Sequence, residues 1–132
     1  SGGVDSVLVA AVAARVLGDR AVAATAVSPS LAASELEDAR AAARAVGIRL
    51  VEVATDELEN PAYIANAPDR CFHCKDTAYT TFTSLAAREG IAVVVDGTNA
   101  DDLGDHRPGR RAAQSHGVRS PLAEAGLGKA AI

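Results

Sequence analysis

Three glycines set the plan of this chain. Gly18, Gly47 and Gly90 each close a block of helical character, and each is followed by a short apolar block of strand character. Ser6 to Leu17 (SVLVAAVAARVL) is apolar on nearly every side, which predicts a buried helix with a glycine stop. Ala21 to Val27 reads as a buried strand. Ser34 followed by Glu37 has the spacing of a capping box and predicts a helix from there to about Val46. Ile48 to Val53 alternates apolar and polar residues, as a strand with one covered face does. A proline-containing stretch from Asn60 to Asp69 precedes a long helix expected over Phe72–Glu89. Ile91 to Val95 (IAVVV) is the clearest strand, and Val118 to Leu122 reads as a further short one. Strand and helix alternate at βαβ spacing, so the fold class is α/β, a parallel sheet with helices on both faces. In such sheets ligands sit beyond the carboxyl ends of the strands, so the polar loop after each strand is a candidate wall of the site.

Composition narrows the function classes. The 132 residues suit one domain. No apolar run approaches the ~20 residues that cross a bilayer, and no signal-peptide core is visible. A formal net charge of -4, with no basic run, argues against a DNA-backbone footprint. Two cysteines do not make a disulfide framework. The expectation is a cytoplasmic globular protein with no nucleic-acid or membrane partner. There is no methionine, and the chain opens on Ser1 inside what reads as a functional loop. Residues 1–132 are therefore expected to be an incomplete domain, lacking a first strand before the loop and a region beyond Ile132.

That loop, Ser1-Gly2-Gly3-Val4-Asp5-Ser6, leads directly into the first helix. Two glycines let the backbone approach an anion without Cβ clashes. The N–H groups at a helix start then point at the anion, aided by the helix dipole. Ser1 and Ser6 add hydroxyls, while Asp5 suits a Mg²⁺ ion or a role in fixing the loop. A Gly-Gly turn with a polar cap, common before any helix, is the plain alternative. The full hexapeptide resembles the SGGxDS signature of the PP-loop family, the N-type ATP pyrophosphatases. The resemblance implies a Rossmann-like three-layer sandwich of the adenine nucleotide alpha hydrolase type. It also implies a loop that holds the β,γ-pyrophosphate of ATP while the α-phosphate is attacked. No GK[ST] follows, so this is not a Walker loop.

Asp69-Arg70-Cys71-Phe72-His73-Cys74-Lys75 places two thiols three residues apart at a helix start, where thiolates are favoured. Spacing alone leaves open idle thiols, a redox pair, and metal or cluster ligands. A structural zinc needs four ligands, and a cluster normally takes at least three cysteines.

SGGVDS, NAPDRCFHCK, DGTNADDLGDHRPGRRA and VRSPLAEAGLGKAAI, in that order, resemble the LarE-type sulfur transferases. These PP-loop enzymes make the nickel-pincer nucleotide cofactor of lactate racemase. The likeness covers essentially the whole chain. It implies ATP-dependent adenylation of a carboxylate on pyridinium-3,5-biscarboxylic acid mononucleotide, a small-molecule nucleotide substrate, followed by sulfur insertion. It further implies Cys71 and Cys74 as two of three ligands to a 4Fe–4S cluster, the third lying beyond Ile132. A homo-oligomer is expected.

Asp96-Gly97-Thr98-Asn99 follows the strand Ile91–Val95 at its carboxyl end. Gly97 permits close backbone approach, and Thr98 and Asn99 can bond a nucleotide. The PP-loop likeness extends an ATP-facing role to all four. Asp101 and Asp102 are candidates for Mg²⁺, against an Asx-turn that caps the next helix. In Arg107-Pro108-Gly109-Arg110 a guanidinium can take phosphate or carboxylate, and family likeness favours Arg107. Ser28 to Ser30, after the strand Ala21–Val27, are candidates for the adenosine side. His106 and His116 read as surface histidines. The competing enzyme readings are a tRNA 2-thiolation enzyme and an ammonia-dependent NAD or GMP synthetase-type ligase. A nucleotide-binding regulator of the universal-stress-protein kind is the reading from another class.

Overall fold

The computed structural model describes residues 3–29, 31–55, 70–104 and 108–132, with backbone alone at 70–75, 104 and 108–110. Helix α1 (Val4–Leu17) ends on Gly18 at φ 59°, and a 3-10 turn (Gly18–Arg20) leads into strand β1 (Val22–Val27). Helix α2 (Ala33–Val46) ends on Gly47, left-handed at φ 79°, whose N–H bonds back to Ala43 O (2.9 Å). Strand β2 (Arg49–Ala54) follows and pairs parallel to β1, in register from Val22 against Arg49 to Val27 against Ala54. Helix α3 spans Arg70–Glu89. The remainder is short and irregular: a 3-10 turn at Ala100–Gly104, α4 (Pro108–Ser115), α5 (Pro121–Glu124) and a last 3-10 turn at Lys129–Ala131. The α/β class and the β1–α2–β2 parallel unit stand as read. No helix among the described residues is long and apolar enough to cross a membrane.

Five local expectations are corrected. Helices α1 and α3 each begin two residues before their predicted starts, so Asp5 and Ser6 lie inside the first turn of α1 rather than in the loop. The cap of α2 is Ala32, whose N–H bonds the Glu35 carboxylate (3.2 Å); Ser34 is inside the helix. Alanine has no side-chain acceptor, so only the glutamate half of a capping box forms. Ile91–Val95 is not a strand. Val95 makes a single parallel bridge to Arg119, framed by Arg119 N–H to Val94 O (3.0 Å) and Asp96 N–H to Arg119 O (2.9 Å). The ladder stops there because Pro121 has no N–H to give and is the first residue of α5. The same proline ends the strand expected over Val118–Leu122.

The core is in two parts. Ala21, Ala43 and Ile48 are buried beneath α1 and α2, with Ala10, Ala13 and Ala14 of α1 packed against them. Tyr79, Ala112, Ala113 and Val118 form the second cluster, where α3 meets α4. Helix α1 is expected to be buried, yet no residue in it is: Ala10, Ala13 and Ala14 face the first cluster, while Val12 and Val16, one turn apart, are exposed. An apolar cleft of about 150 Å³ separates β1 from residues 95–97 and runs under α1 from Ser6 to Ala13.

Candidate functional site

The start of α1 has an extended Gly3 as N-cap and no side-chain cap. Val7 N–H to Gly3 O (3.0 Å) is the first helical bond, so the N–H groups of Val4 and Asp5 ahead of it have no intrahelical acceptor. Ser6 Oγ donates to Gly3 O (3.1 Å) and tightens this turn. The result is a short, glycine-led helix start with donors aimed along the axis, the arrangement an anion requires.

Residues 96–102 are pressed onto that start. A Cβ on Gly97 would lie 2.7 Å from Ser6 N and 2.9 Å from Ser6 Cα, so only glycine lets the two backbones meet. Two residues on, Asn99 is completely buried, and its Nδ2 donates to Asp5 Oδ2 at 2.8 Å. Asn99 and Asp102 exchange a reciprocal pair: Asn99 N–H to Asp102 Oδ2 (3.0 Å) and Asp102 N–H to Asn99 Oδ1 (3.1 Å).

Asp96 anchors the other end of the loop. Its carboxylate accepts Ser120 Oγ (2.7 Å) and Thr98 N–H (3.1 Å) on Oδ1, and Tyr79 Oη (2.9 Å) on Oδ2. One side chain thus joins the loop, helix α3 and the approach to α5. Asp101 holds the C-terminal segment: its Oδ2 accepts Lys129 N–H at 2.7 Å, and Gly128 lies so close that a Cβ would meet the carboxylate at 2.8 Å.

Gly3, Asp5, Ser6, Asp96, Gly97, Thr98 and Asn99 are therefore brought together as the sequence predicts, but in divided roles. Asp96 and Asn99 spend their side chains inside the protein, and Asp101 spends an oxygen on a backbone amide. Ser28 directly follows β1, its carbonyl accepting Leu31 N–H (3.0 Å), and it does not line the cleft. Cys71 and Cys74 fall in the opening turns of α3, where the backbone alone is described. Ser1, Gly2, Ser30, His106 and Arg107 lie outside the described residues. Among the described residues, no group of three or more His, Cys, Asp or Glu is placed to hold a metal ion.

Sequence reasoning missed Tyr79, Ser120 and His116. Tyr79 is one of two tyrosines in the chain, and a buried tyrosine needs a partner for its hydroxyl; that was the available signal. Ser120 carried none beyond its place before Pro121. His116 is not a lone surface histidine: its Nε2 is 2.7 Å from Asp76 Oδ1, and its ring lies 6.3 Å from that of Tyr79.

Residues 1–124 match the asparagine synthase family. An uncharacterized protein of Synechocystis sp. is 54% identical over 98% of this chain and 48% of its own length. The pyridinium-3,5-bisthiocarboxylic acid mononucleotide synthase of Lactiplantibacillus plantarum is 36% identical over 95% of this chain and 46% of its own length. An uncharacterized protein of Methanocaldococcus jannaschii is 31% identical over 98% and 48%. The chain spans about half the length of these curated relatives. With a glycine-led helix start at Gly3 and a family match over nearly all its length, the chain belongs to the asparagine synthase family of the PP-loop superfamily.

Proposed function

We propose that this chain is the ATP-binding part of an ATP-dependent sulfur transferase acting on pyridinium-3,5-biscarboxylic acid mononucleotide. The observation that carries the reading is the 36% identity to the Lactiplantibacillus plantarum synthase over 95% of this chain. In the reaction, a substrate carboxylate oxygen attacks the α-phosphorus of ATP. The bond to the bridging oxygen breaks, pyrophosphate leaves, and an acyl-adenylate forms. A sulfur nucleophile then attacks the acyl carbon and AMP leaves, giving the thiocarboxylate.

The chain's own groups suit the first half. Ser1, Gly2 and Gly3 lead into the α1 start, whose N–H groups and positive dipole end hold the departing pyrophosphate. The donor set also fits Mg²⁺, a hard cation that takes carboxylate oxygens: Asp5 is in the first turn and its hydrogen-bond partner is a neutral amide. When bound, Mg²⁺ neutralises charge that builds up on the phosphates. Gly97 and Thr98 form the wall opposite the loop, Ser28 is assigned to the adenosine side, and Arg107 to a substrate phosphate or carboxylate. Cys71 and Cys74 are assigned to the sulfur half. They would supply two of the three cysteines that a 4Fe–4S cluster takes, and the cluster would serve there as a source of sulfur. The same proposal makes the enzyme cytoplasmic and homo-oligomeric, on an ATP-binding domain to which further chain contributes.

The asparagine synthase match favours a second reading, in which ammonia attacks the acyl-adenylate and an amide forms. Pyrophosphate release by the full-length protein separates the readings. Release that requires the pyridinium mononucleotide, with a sulfide-dependent thiocarboxylate product by mass spectrometry, is the expected result. An amide formed from ammonia supports the second reading. Release that requires tRNA, or ATP binding without pyrophosphate, overturns both.

A further inference from the structure

We propose that Asn99 is a positioning residue: through the chain Asp102–Asn99–Asp5 it aims the Asp5 carboxylate at the metal-bound nucleotide, and it does not itself touch the nucleotide. The proposal rests on the ATP-binding reading above and deepens it, because it names what orients the only acidic side chain in the first turn of α1.

Burial comes first. Asn99 is the largest fully buried side chain among the described residues, at 0% exposure. An amide taken out of water is costly unless each of its groups finds a partner. No buried side-chain nitrogen or oxygen among the described residues lacks one. A side chain so enclosed has no surface left for ATP.

The orientation of the amide is then determined. Asp102 N–H can only donate, so the atom facing it at 3.1 Å is the Asn99 oxygen. The amide nitrogen is consequently the end that meets Asp5 Oδ2 at 2.8 Å. Turned the other way, the amide would set N–H against N–H and oxygen against carboxylate. Asp102 also grips the Asn99 backbone N–H at 3.0 Å, so the side chain and its backbone are both fixed by one neighbour.

The chemistry of the donor carries the last step. Asp5 stands beside a helix start suited to phosphate, and two anions there repel unless a cation lies between them. A lysine or arginine partner would neutralise Asp5 and remove its attraction for that cation. Asn99 instead fixes one oxygen with a neutral N–H and leaves the carboxylate charge available, with Oδ1 free to turn to the metal. Gly97, tight against Ser6, supplies the close approach that brings Asn99 within reach across 94 residues of sequence.

The test is calorimetric binding of adenosine 5′-(α,β-methylene)triphosphate to the full-length protein, with Mg²⁺ and with EDTA. For Asn99→Ala the affinity gain due to Mg²⁺ should shrink roughly tenfold, the scale of one lost hydrogen bond to a charged group, while affinity in EDTA changes less than about twofold. If Asn99→Ala fails to fold by circular dichroism, Asn99→Ser keeps a small polar side chain but is too short to carry a donor to Asp5, and should show the same loss. A purely structural role would weaken binding equally with and without Mg²⁺, and that outcome overturns the proposal. An unchanged Mg²⁺ gain in both variants overturns it as well. Wild-type protein that binds no nucleotide in either condition would sink the ATP-binding reading itself, and this proposal with it.

Discussion

Residues 4–54 and residues 91–132 are built on opposite principles. The first region is regular: two helices of 14 residues and a parallel ladder six residues long. Its positions are set by backbone hydrogen bonds and by small alanine contacts, and α1 carries no buried residue at all. The second region has one bridge and several pieces of three to eight residues, yet it holds Asn99 at 0%, Ala112 at 0% and Ala113 at 4% exposure. There, position is set atom by atom, through Asp96, Asn99, Asp101 and Asp102. The regular half supplies the helix, and the irregular half decides where its first turn points.

A methyl group added to one glycine in each region should separate the two most strongly. Gly97→Ala drives a Cβ to 2.7 Å from Ser6 N, backbone against backbone, where nothing flexible can yield. The loop must lift from α1, with a cost of at least about 2 kcal/mol in urea unfolding. Loss of more than roughly tenfold in nucleotide affinity is expected, since 1.4 kcal/mol is already a factor of ten. Gly47→Ala meets open space and suffers only its left-handed φ of 79°. Its expected cost is about 1 kcal/mol, with nucleotide affinity unchanged. A larger penalty at Gly47 than at Gly97 would reverse the argument.

Next in size is the Asp96 hub. Tyr79→Phe removes one of three donors to a part-buried carboxylate and keeps the ring that packs edge-on to Phe82 at 6.4 Å. About 1–2 kcal/mol of stability should go, the range for a charged acceptor that loses a partner. Phe82→Leu, in the same cluster but with no hydrogen bond at stake, should cost less than about 1.5 kcal/mol. Equal losses would mean that packing, not the hydroxyl, fixes α3 against the loop.

The two regions were unequally legible for the same physical reason. Helix α1, β1, α2 and β2 follow from apolar periodicity and glycine stops, which are local, so the sequence carries them within a residue or two. The segment IAVVV has every local mark of a strand, yet strand formation is decided by the partner, and Arg119 offers a single bridge before Pro121 turns away. At the site, residue type pointed to a cluster but not to the hydrogen bonds inside it. Asp96 and Asn99 look like ligands because they are polar and follow an apolar run, whereas their hydrogen-bond partners, Tyr79 and Ser120 for one and Asp5 and Asp102 for the other, span up to 94 residues. No spacing rule reaches that far.

The smallest expected effect compares one exposed ion pair from each region. Glu52 on β2 accepts a hydrogen bond from Arg40 on α2, and that bond holds its carboxyl below the ordinary 4.5. Glu124 accepts two from Arg119, at 2.7 and 3.1 Å, and is lowered for the same first reason. A carboxyl whose folded value is depressed favours the folded state once it is ionised. Each pair therefore stabilises the fold above about pH 4.5, and loses that contribution as pH falls through the lower folded value. Glu52→Gln and Glu124→Gln should each lower Tm slightly at pH 7, and the gap to wild type should narrow as pH falls below 4.5. The Glu52 pair crosses between two regular elements, while the Glu124 pair closes a five-residue loop. Only Glu52→Gln should also speed hydrogen exchange along the β1–β2 ladder, because only that pair ties α2 to the sheet. If Glu124→Gln loosened the ladder equally, the two regions would be one cooperative unit, and the division between backbone-set and side-chain-set halves would not hold.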